Sequence, residues 1–238
     1  IGRWIFDHLG KSPVLMSSVN GETRAKVATN LLHDYGYFNG TVSYKEVSQK
    51  NPKEAKVSYV IDMARPYFLD SIAYLKYPHY ADSLIQSTRS LSVLKNEENF
   101  SVIKLEEERQ RLSNLFRNHG YYYYRPEFTT YRADTLQKSG YVSLQVVPRN
   151  GIPAEAKKQY YIGNTSVYLT GYDNEPPTDT LRLRTMTFYY SGKKPGIRPN
   201  ALMRNVFFRK GELFSQDRQT FTQEAIARMG VFRYSEFR

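Results

Sequence analysis

Apolar residues recur every three or four positions in three separate segments of the chain, and each segment ends at a glycine. The glycines are Gly36, Gly120 and Gly230. This period is that of one face of an amphipathic helix, and a glycine just beyond it supplies the left-handed residue that ends a helix. The pattern therefore predicts three long helices. Their apolar faces are predicted to be Val27, Leu31 and Tyr35; Leu105, Leu112 and Phe116; and Phe221, Ala225 and Met229.

A serine stands before each of these helical segments, at the place of an N-cap. An N-cap side chain accepts a hydrogen bond from a backbone N–H that has no partner in the first turn. Ser17, Ser101 and Ser215 are therefore predicted to begin the helices.

Segments of alternating apolar and polar residues, typical of strands, surround the helices. Two follow the first helix, at 41–47 and 56–63, and two follow the second, at 128–132 and 141–147. Further strands at 67–75 and 160–169 begin new copies, and a shorter helical piece precedes each long helix. The repeating unit is thus strand, helix, helix, strand, strand. Such an α+β module covers one face of a three-stranded sheet with two helices.

The repeat divides the chain into three copies, at 1–65, 66–153 and 154–238. The first copy lacks its opening strand, and the third lacks its last two strands. Residues 171–199 of the third copy carry dense proline and glycine, which indicates an inserted hairpin or loop. We expect the chain to be an excerpt of a longer protein.

Composition excludes several classes of protein. The chain has 238 residues, no cysteine and a net charge of +11, so no thiol chemistry and no disulfide or zinc-thiolate framework is possible. Its 40% hydrophobic content is enough for a core. The positive charge is compatible with nucleic acid, an anionic membrane surface or simple solubility.

The order of elements, with long helices that end in Gly36-Tyr37-Phe38 and Gly120-Tyr121-Tyr122, resembles the POTRA domain of the BamA/TamA superfamily. The segment Ser12 to Leu15 before the first helix is similar to the lipoprotein form, TamL. The resemblance implies tandem POTRA-like modules in the periplasm, tethered to the outer membrane, with no enzymatic activity, no cofactor and no metal. It implies a C-terminal β-barrel in the outer membrane, formed by the same polypeptide after Arg238.

The resemblance also implies partners and a binding mode. The partners are unfolded outer-membrane or exported polypeptides and accessory periplasmic or inner-membrane assembly proteins. An extended peptide can add to an exposed sheet edge through main-chain hydrogen bonds, and in this family the second strand of a unit forms that edge, beside a groove against the first helix. The predicted edge residues are Val42, Ser43 and Tyr44 in the first copy, and Glu127, Phe128, Thr129 and Thr130 in the second.

The alternative hypothesis is a basic nucleic-acid-binding repeat protein, in which Tyr121 to Tyr124 would stack on bases. Core packing at the helix end accounts for at least the first two rings, and we expect no nucleic acid. The four histidines show no spacing typical of metal ligands. Glu106, Glu107 and Glu108 are predicted to lie on a solvated helix face with partners such as Arg109 and Arg111.

Overall fold

A computed structural model describes residues 19–50, 54–171 and 176–237 of the chain. The fold is α+β, as predicted. The chain divides into two compact units, of which the first comprises Ile1–Ile72, Leu94–Leu105 and Ala133–Leu144, and the second the remainder. His8, Ser17 and the shorter helical piece predicted before the first long helix lie outside the described residues.

The first copy contains helix α1 (Gly21–Asp34) and strands β1 (Thr41–Ser48) and β2 (Ala55–Asp62). The two strands form an antiparallel pair in which Thr41 lies opposite Asp62 and Ser48 opposite Ala55. Asn20 caps α1, since its side chain accepts from the N–H of Thr23 at 2.9 Å. The cap predicted at Ser17 is therefore wrong.

The buried face of α1 also differs from the prediction. Val27, Leu31 and Tyr35 are 62%, 53% and 46% exposed, whereas Gly21 and Ala25 are buried. The helix packs on β1 through small residues. The N–H of Val42 donates to Thr29 Oγ1 at 3.0 Å, which requires the helix and the strand to lie close together. A face of small side chains permits this close approach.

The second copy has the complete predicted order. Strand β3 (Phe68–Tyr74) precedes helices α2 (His79–Ser87) and α3 (Val102–Asn118), and strands β4 (Thr129–Asp134) and β5 (Tyr141–Pro148) follow them. The strand order in the sheet is β3-β5-β4. Leu112 and Phe116 on α3 are fully buried, as their spacing predicted.

The third copy reaches the same strand order by a different route. Its strands are β6 (Thr165–Tyr168), β7 (Asp179–Leu183) and β8 (Met186–Tyr190), in the order β6-β8-β7. The hairpin β7-β8 falls within 171–199, where a hairpin or loop was predicted. Helices α4 (Pro199–Met203) and α5 (Gln216–Arg228) follow. Phe188, Leu202 and Ile226 form the centre of this copy's core.

The predicted helix stops are confirmed. Gly36, Gly120 and Gly230 have φ angles of 87°, 94° and 66°. At the first two stops the residue after the glycine donates to a carbonyl five positions earlier, from Tyr37 to Leu32 and from Tyr121 to Phe116. This is the Schellman pattern, which satisfies carbonyls that the helix end leaves without partners.

The first joint between copies begins at one of these glycines and lies within the first unit. The carbonyl of Gly36 accepts from the N–H of Tyr67 at 2.9 Å, and the carbonyl of Tyr67 accepts from Phe100 at 2.8 Å. The ring of Phe38 lies 5.0 Å from Tyr67 and 5.1 Å from Phe100.

The second joint, within the second unit, repeats these contacts. Gly120 accepts from Tyr160 at 2.8 Å, and Tyr160 accepts from Phe214 at 2.9 Å. Tyr122 occupies the place of Phe38, with its ring 4.7 Å from Phe214 and 6.4 Å from Tyr160. The helix-stop glycine therefore ends a helix and also attaches the next copy.

Candidate peptide-binding edge

Strand β1 pairs on one side with β2, and helix α1 lies along its other side. The N–H of Val42 donates to Thr29 Oγ1 on α1, and that hydroxyl donates to the carbonyl of Ala25 at 3.0 Å. The predicted edge is therefore already occupied at Val42.

The backbone beyond Val42 continues the same edge. In an antiparallel pair, residues alternate between those that bond to the partner strand and those whose N–H and C=O point away from it. Because the N–H of Val42 points to α1, the backbone groups of Tyr44 and Glu46 point away from β2, while those of Ser43 point toward it. All three residues are exposed. The part of the edge that can accept another strand thus begins at Tyr44.

A groove of about 410 Å³ lies between α1 and β1. The ring of Tyr44 covers the start of α1 so closely that a Cβ on Gly21 would lie 2.5 Å from Tyr44 Cδ2. Glu22 and Lys26 form an exposed ion pair at 2.7 Å on the helix side, and the hydrogen bond from Lys26 holds the pKa of Glu22 below its usual value. The groove was predicted beside the first helix of the unit, whereas the long helix lines it in the structure.

In the second copy, β4 is an edge strand of the sheet β3-β5-β4, but its predicted bounds need correction. Glu127 and Phe128 lie in a 3-10 turn, Pro126–Phe128, and the strand begins at Thr129. The carbonyl of Phe128 accepts from Arg149 at 2.8 Å. Thr129 is 1% exposed, and its hydroxyl hydrogen-bonds Tyr124 Oη at 3.0 Å. Of the four predicted residues, Thr130 alone is a partly exposed strand residue.

Glu108 corrects the predicted solvated face of α3. It is fully buried, while Glu106 is exposed and pairs with Arg109 at 2.7 Å, as predicted. Arg111 binds the Glu108 carboxylate through Nε at 2.9 Å and Nη2 at 2.6 Å. Tyr74 Oη also donates to it, and the N–H of Val93 does so at 3.2 Å.

Burial by itself would raise the pKa of Glu108, but the hydrogen bonds from Arg111 and Tyr74 outweigh it and hold the pKa below its usual value. Burial and the bond to Glu108 raise the pKa of Tyr74 to about 12. The network joins the end of β3 to α3 within the second unit. Its members satisfy one another, which is the arrangement of a structural network. The sequence carries no signal that distinguishes Glu108 from Glu106 before the burial of α3 is known.

The tyrosines proposed for base stacking are engaged with the protein. Tyr121 and Tyr124 are buried and pack edge-on against Phe116 at 5.7 and 4.7 Å. Tyr122 belongs to the second joint. Tyr123 is 48% exposed, with its ring 5.2 Å from Tyr160. This arrangement disfavours the nucleic-acid alternative at this site.

Each histidine that the structure describes has its own local surroundings. His33 faces the carbonyl of Gly40 and His119 that of Leu115, and His79 begins α2. Over residues 19–50, 54–171 and 176–237, no three His, Asp or Glu side chains gather as metal ligands would. None of the helices in that part of the chain combines the length and apolar character needed to cross a membrane.

No known protein-family model and no curated protein matches the chain. Solved structures do. POTRA3–5 of BamA from Haemophilus influenzae is 10% identical, with a TM-score of 0.46 over 92% of this chain and 73% of that one. BamA from Haemophilus ducreyi lacking POTRA domains 1–3 is 13% identical, with a TM-score of 0.37 over 60% of this chain and 26% of its own.

The N-terminal domain of Omp85 from the cyanobacterium Thermosynechococcus elongatus is 14% identical, with a TM-score of 0.26 over 98% of this chain and 82% of that one. The chain is similar to the POTRA domains of BamA and Omp85 proteins. Because these TM-scores lie below 0.5, the description as POTRA-like modules rests on the complete strand-helix-helix-strand-strand order of the second copy. The similarity to TamL stays a prediction.

Proposed function

We propose that this chain is a non-catalytic periplasmic scaffold of an outer-membrane protein assembly factor, and that its β1 edge binds extended client segments. The observation that carries the proposal is the exposed edge from Tyr44 to Ser48 of β1, whose first residue, Tyr44, borders the groove against α1. Main-chain bonding at such an edge tolerates many client sequences. The division of the chain into three copies stays a prediction. The chain is similar to the POTRA domains of BamA and Omp85 proteins.

The partners that fit this role are unfolded outer-membrane or exported polypeptides and accessory assembly proteins. An unfolded segment of alternating apolar and polar residues matches the period of a strand. Its main chain would bond to Tyr44 and Glu46, and the side chain next to Tyr44 would lie at the mouth of the groove. Edge pairing of this kind gives low affinity, because each hydrogen bond contributes only about 0.5–1.5 kcal/mol net.

The substitution Glu46→Pro tests this proposal. Proline removes the outward N–H at this position and leaves the bonds between β1 and β2, as proline does on an edge strand. We expect binding of a fluorescent peptide of alternating valine and threonine, measured by anisotropy, to fall about two- to tenfold.

Glu46→Ala is the matched control, since it removes the same carboxylate and keeps the N–H. It should bind the peptide as the unsubstituted chain does. Equal loss of binding in both variants would assign the effect to charge, and unchanged binding in Glu46→Pro would remove β1 as the binding edge. Circular dichroism verifies that both variants fold.

A further inference from the structure

The third copy contains a continuous basic segment. Residues 182–210 include eight Lys or Arg and no Asp or Glu. All eight side chains are exposed, and none forms an ion pair with a carboxylate that the structure describes. Nearby Glu212 pairs with Arg218 instead. The basic residues are Arg182, Arg184, Lys193, Lys194, Arg198, Arg204, Arg209 and Lys210.

Five of these residues belong to the hairpin β7-β8 or to the segment that follows it. The sheet packs one face on the helices, through Val167, Phe188 and Leu181. Side chains alternate along a strand, so Arg182 belongs to the opposite face. Arg184 is at the tip of the hairpin between β7 and β8, in a left-handed conformation with φ 52°. Lys193, Lys194 and Arg198 follow the end of β8.

Two tyrosines lie on the same outer face. Tyr168 on β6 is opposite Tyr189 on β8, and their rings stack at 4.6 Å with an interplanar angle of 7°. Tyr168 is 62% exposed. Thr180 and Thr187 lie on the same face beside them, so it presents flat aromatic rings and hydroxyls together with the Arg182 side chain.

We infer that this face is a docking surface for an anionic lipid bilayer. Lys and Arg gain favourable energy near anionic headgroups, and tyrosine favours the boundary between headgroups and acyl chains. The exposed tyrosine stack with Arg182 on the same face, and the exposed cations next to it along the chain, supply both properties. The inference goes beyond the peptide-binding edge and does not depend on it, since β1 belongs to the first unit and this sheet to the second.

The face fits a bilayer better than a single-stranded nucleic acid. Successive bases stack on separate, accessible rings, whereas Tyr168 and Tyr189 already stack on each other. The headgroup layer offers phosphate oxygens across a broad surface. Hydroxyls, amphipathic rings and nearby exposed cations can all bind such oxygens at the same time.

The test measures co-sedimentation of the 238-residue chain with vesicles of phosphatidylcholine mixed with phosphatidylglycerol, at low ionic strength. Vesicles of phosphatidylcholine alone are the neutral reference. We expect binding to the anionic vesicles only. Lys193→Gln with Lys194→Gln should weaken that binding about 30-fold, because each lysine near an anionic surface accounts for roughly a fivefold change.

Lys157→Gln with Lys158→Gln is the matched control. It removes the same charge from exposed residues of the third copy that precede β6 and lie outside the basic segment 182–210, and it should change binding less than about threefold. A third variant, Tyr168→Ser, leaves the charge unchanged and should weaken binding several-fold. Thermal melts establish that all variants keep the fold, since every substituted side chain is exposed.

Equal losses in the two lysine pairs would reduce the effect to net charge and overturn the assignment of this face. Absence of binding to anionic vesicles would overturn it directly, whether the true partner is an acidic protein or none. Single-stranded DNA is the competing probe. If the chain bound it more tightly than the vesicles, and lost it in the Lys193/Lys194 variant, the face would belong to nucleic acid.

Discussion

At the scale of single residues, Glu108 shows how burial changes the role of a charged side chain. Its neighbours Glu106 and Glu107 are exposed, while Glu108 is enclosed with Arg111, Tyr74 and the N–H of Val93. Breaking a buried pair by removing one partner leaves an uncompensated charge, which is strongly destabilising. Arg111 also donates to Thr88 Oγ1 at 3.2 Å, so the network reaches the end of α2.

The substitution Glu108→Gln should lower the free energy of unfolding by about 2–4 kcal/mol at neutral pH. Because the folded state holds the pKa of Glu108 below its usual value, the carboxylate's contribution is present above the unfolded value of 4.5 and is lost as the pH falls through the folded value. The variant should therefore lose less stability than the unsubstituted chain below about pH 4.5.

Urea denaturation between neutral pH and pH 3 measures this difference. Glu107→Gln makes the same change of charge at an exposed position of α3 and should leave both stability and its pH dependence nearly unchanged. Parallel acid profiles for the chain and for Glu108→Gln would contradict the proposed network.

At the scale of elements, the helix-stop glycines Gly36 and Gly120 combine two requirements. Each adopts a left-handed conformation, and its carbonyl accepts the first hydrogen bond from the next copy. At Gly36 an added Cβ would lie 2.7 Å from the carbonyl oxygen of Phe100, and at Gly120 it would lie 2.8 Å from Leu213 Cδ2. A side chain is therefore disfavoured both by backbone conformation and by the chain packed against it.

The substitution Gly120→Ala should lower the free energy of unfolding by about 1–3 kcal/mol, measured by urea denaturation. Gly140→Ala is the matched control. Gly140 also has a positive φ, of 78°, but an added Cβ there meets nothing within 4 Å. Gly140→Ala should lower the free energy of unfolding by about 1 kcal/mol, the cost of a left-handed backbone conformation alone. If both variants lose the same stability, close packing at the joint contributes nothing.

At the scale of the whole molecule, two joints of the same construction connect successive copies. The middle member is a tyrosine in both, Tyr67 and Tyr160, and each makes backbone bonds on both sides. Asn118 strengthens the second joint, since its side chain accepts from the N–H of Asp217 at 2.9 Å. The joints therefore combine a backbone connection with ring packing.

The substitution Tyr160→Ala should open the second joint, because Tyr122 and Tyr123 lose the ring packed against them. Trypsin should then cleave after Lys157 or Lys158, which are exposed just before the joint, several times faster than in the unsubstituted chain. Mass spectrometry of the early fragments measures the rate. Tyr161→Ala, at a neighbouring ring that is 64% exposed, should leave cleavage unchanged. The same rate in both variants would show that the Tyr160 ring does not hold the joint.

Local sequence patterns were enough to predict the α+β class, the helix stops at Gly36, Gly120 and Gly230, and the complete order of the second copy. These features depend on local chemistry: the period of apolar residues, the left-handed conformation of glycine and the alternation along strands. The caps at Ser101 and Ser215 also agree, since each serine accepts from the N–H three residues later at 3.4 Å.

Tertiary structure decided the features that depend on what packs against each element. It placed the small residues of α1 against β1 and left Val27 exposed, because Thr29 closes the edge at Val42. It buried Glu108, which differs from Glu106 only in the helix face it occupies. It also formed the third sheet from β6 and the hairpin β7-β8. Pairing partners and burial are non-local, and one sequence pattern fits several of them.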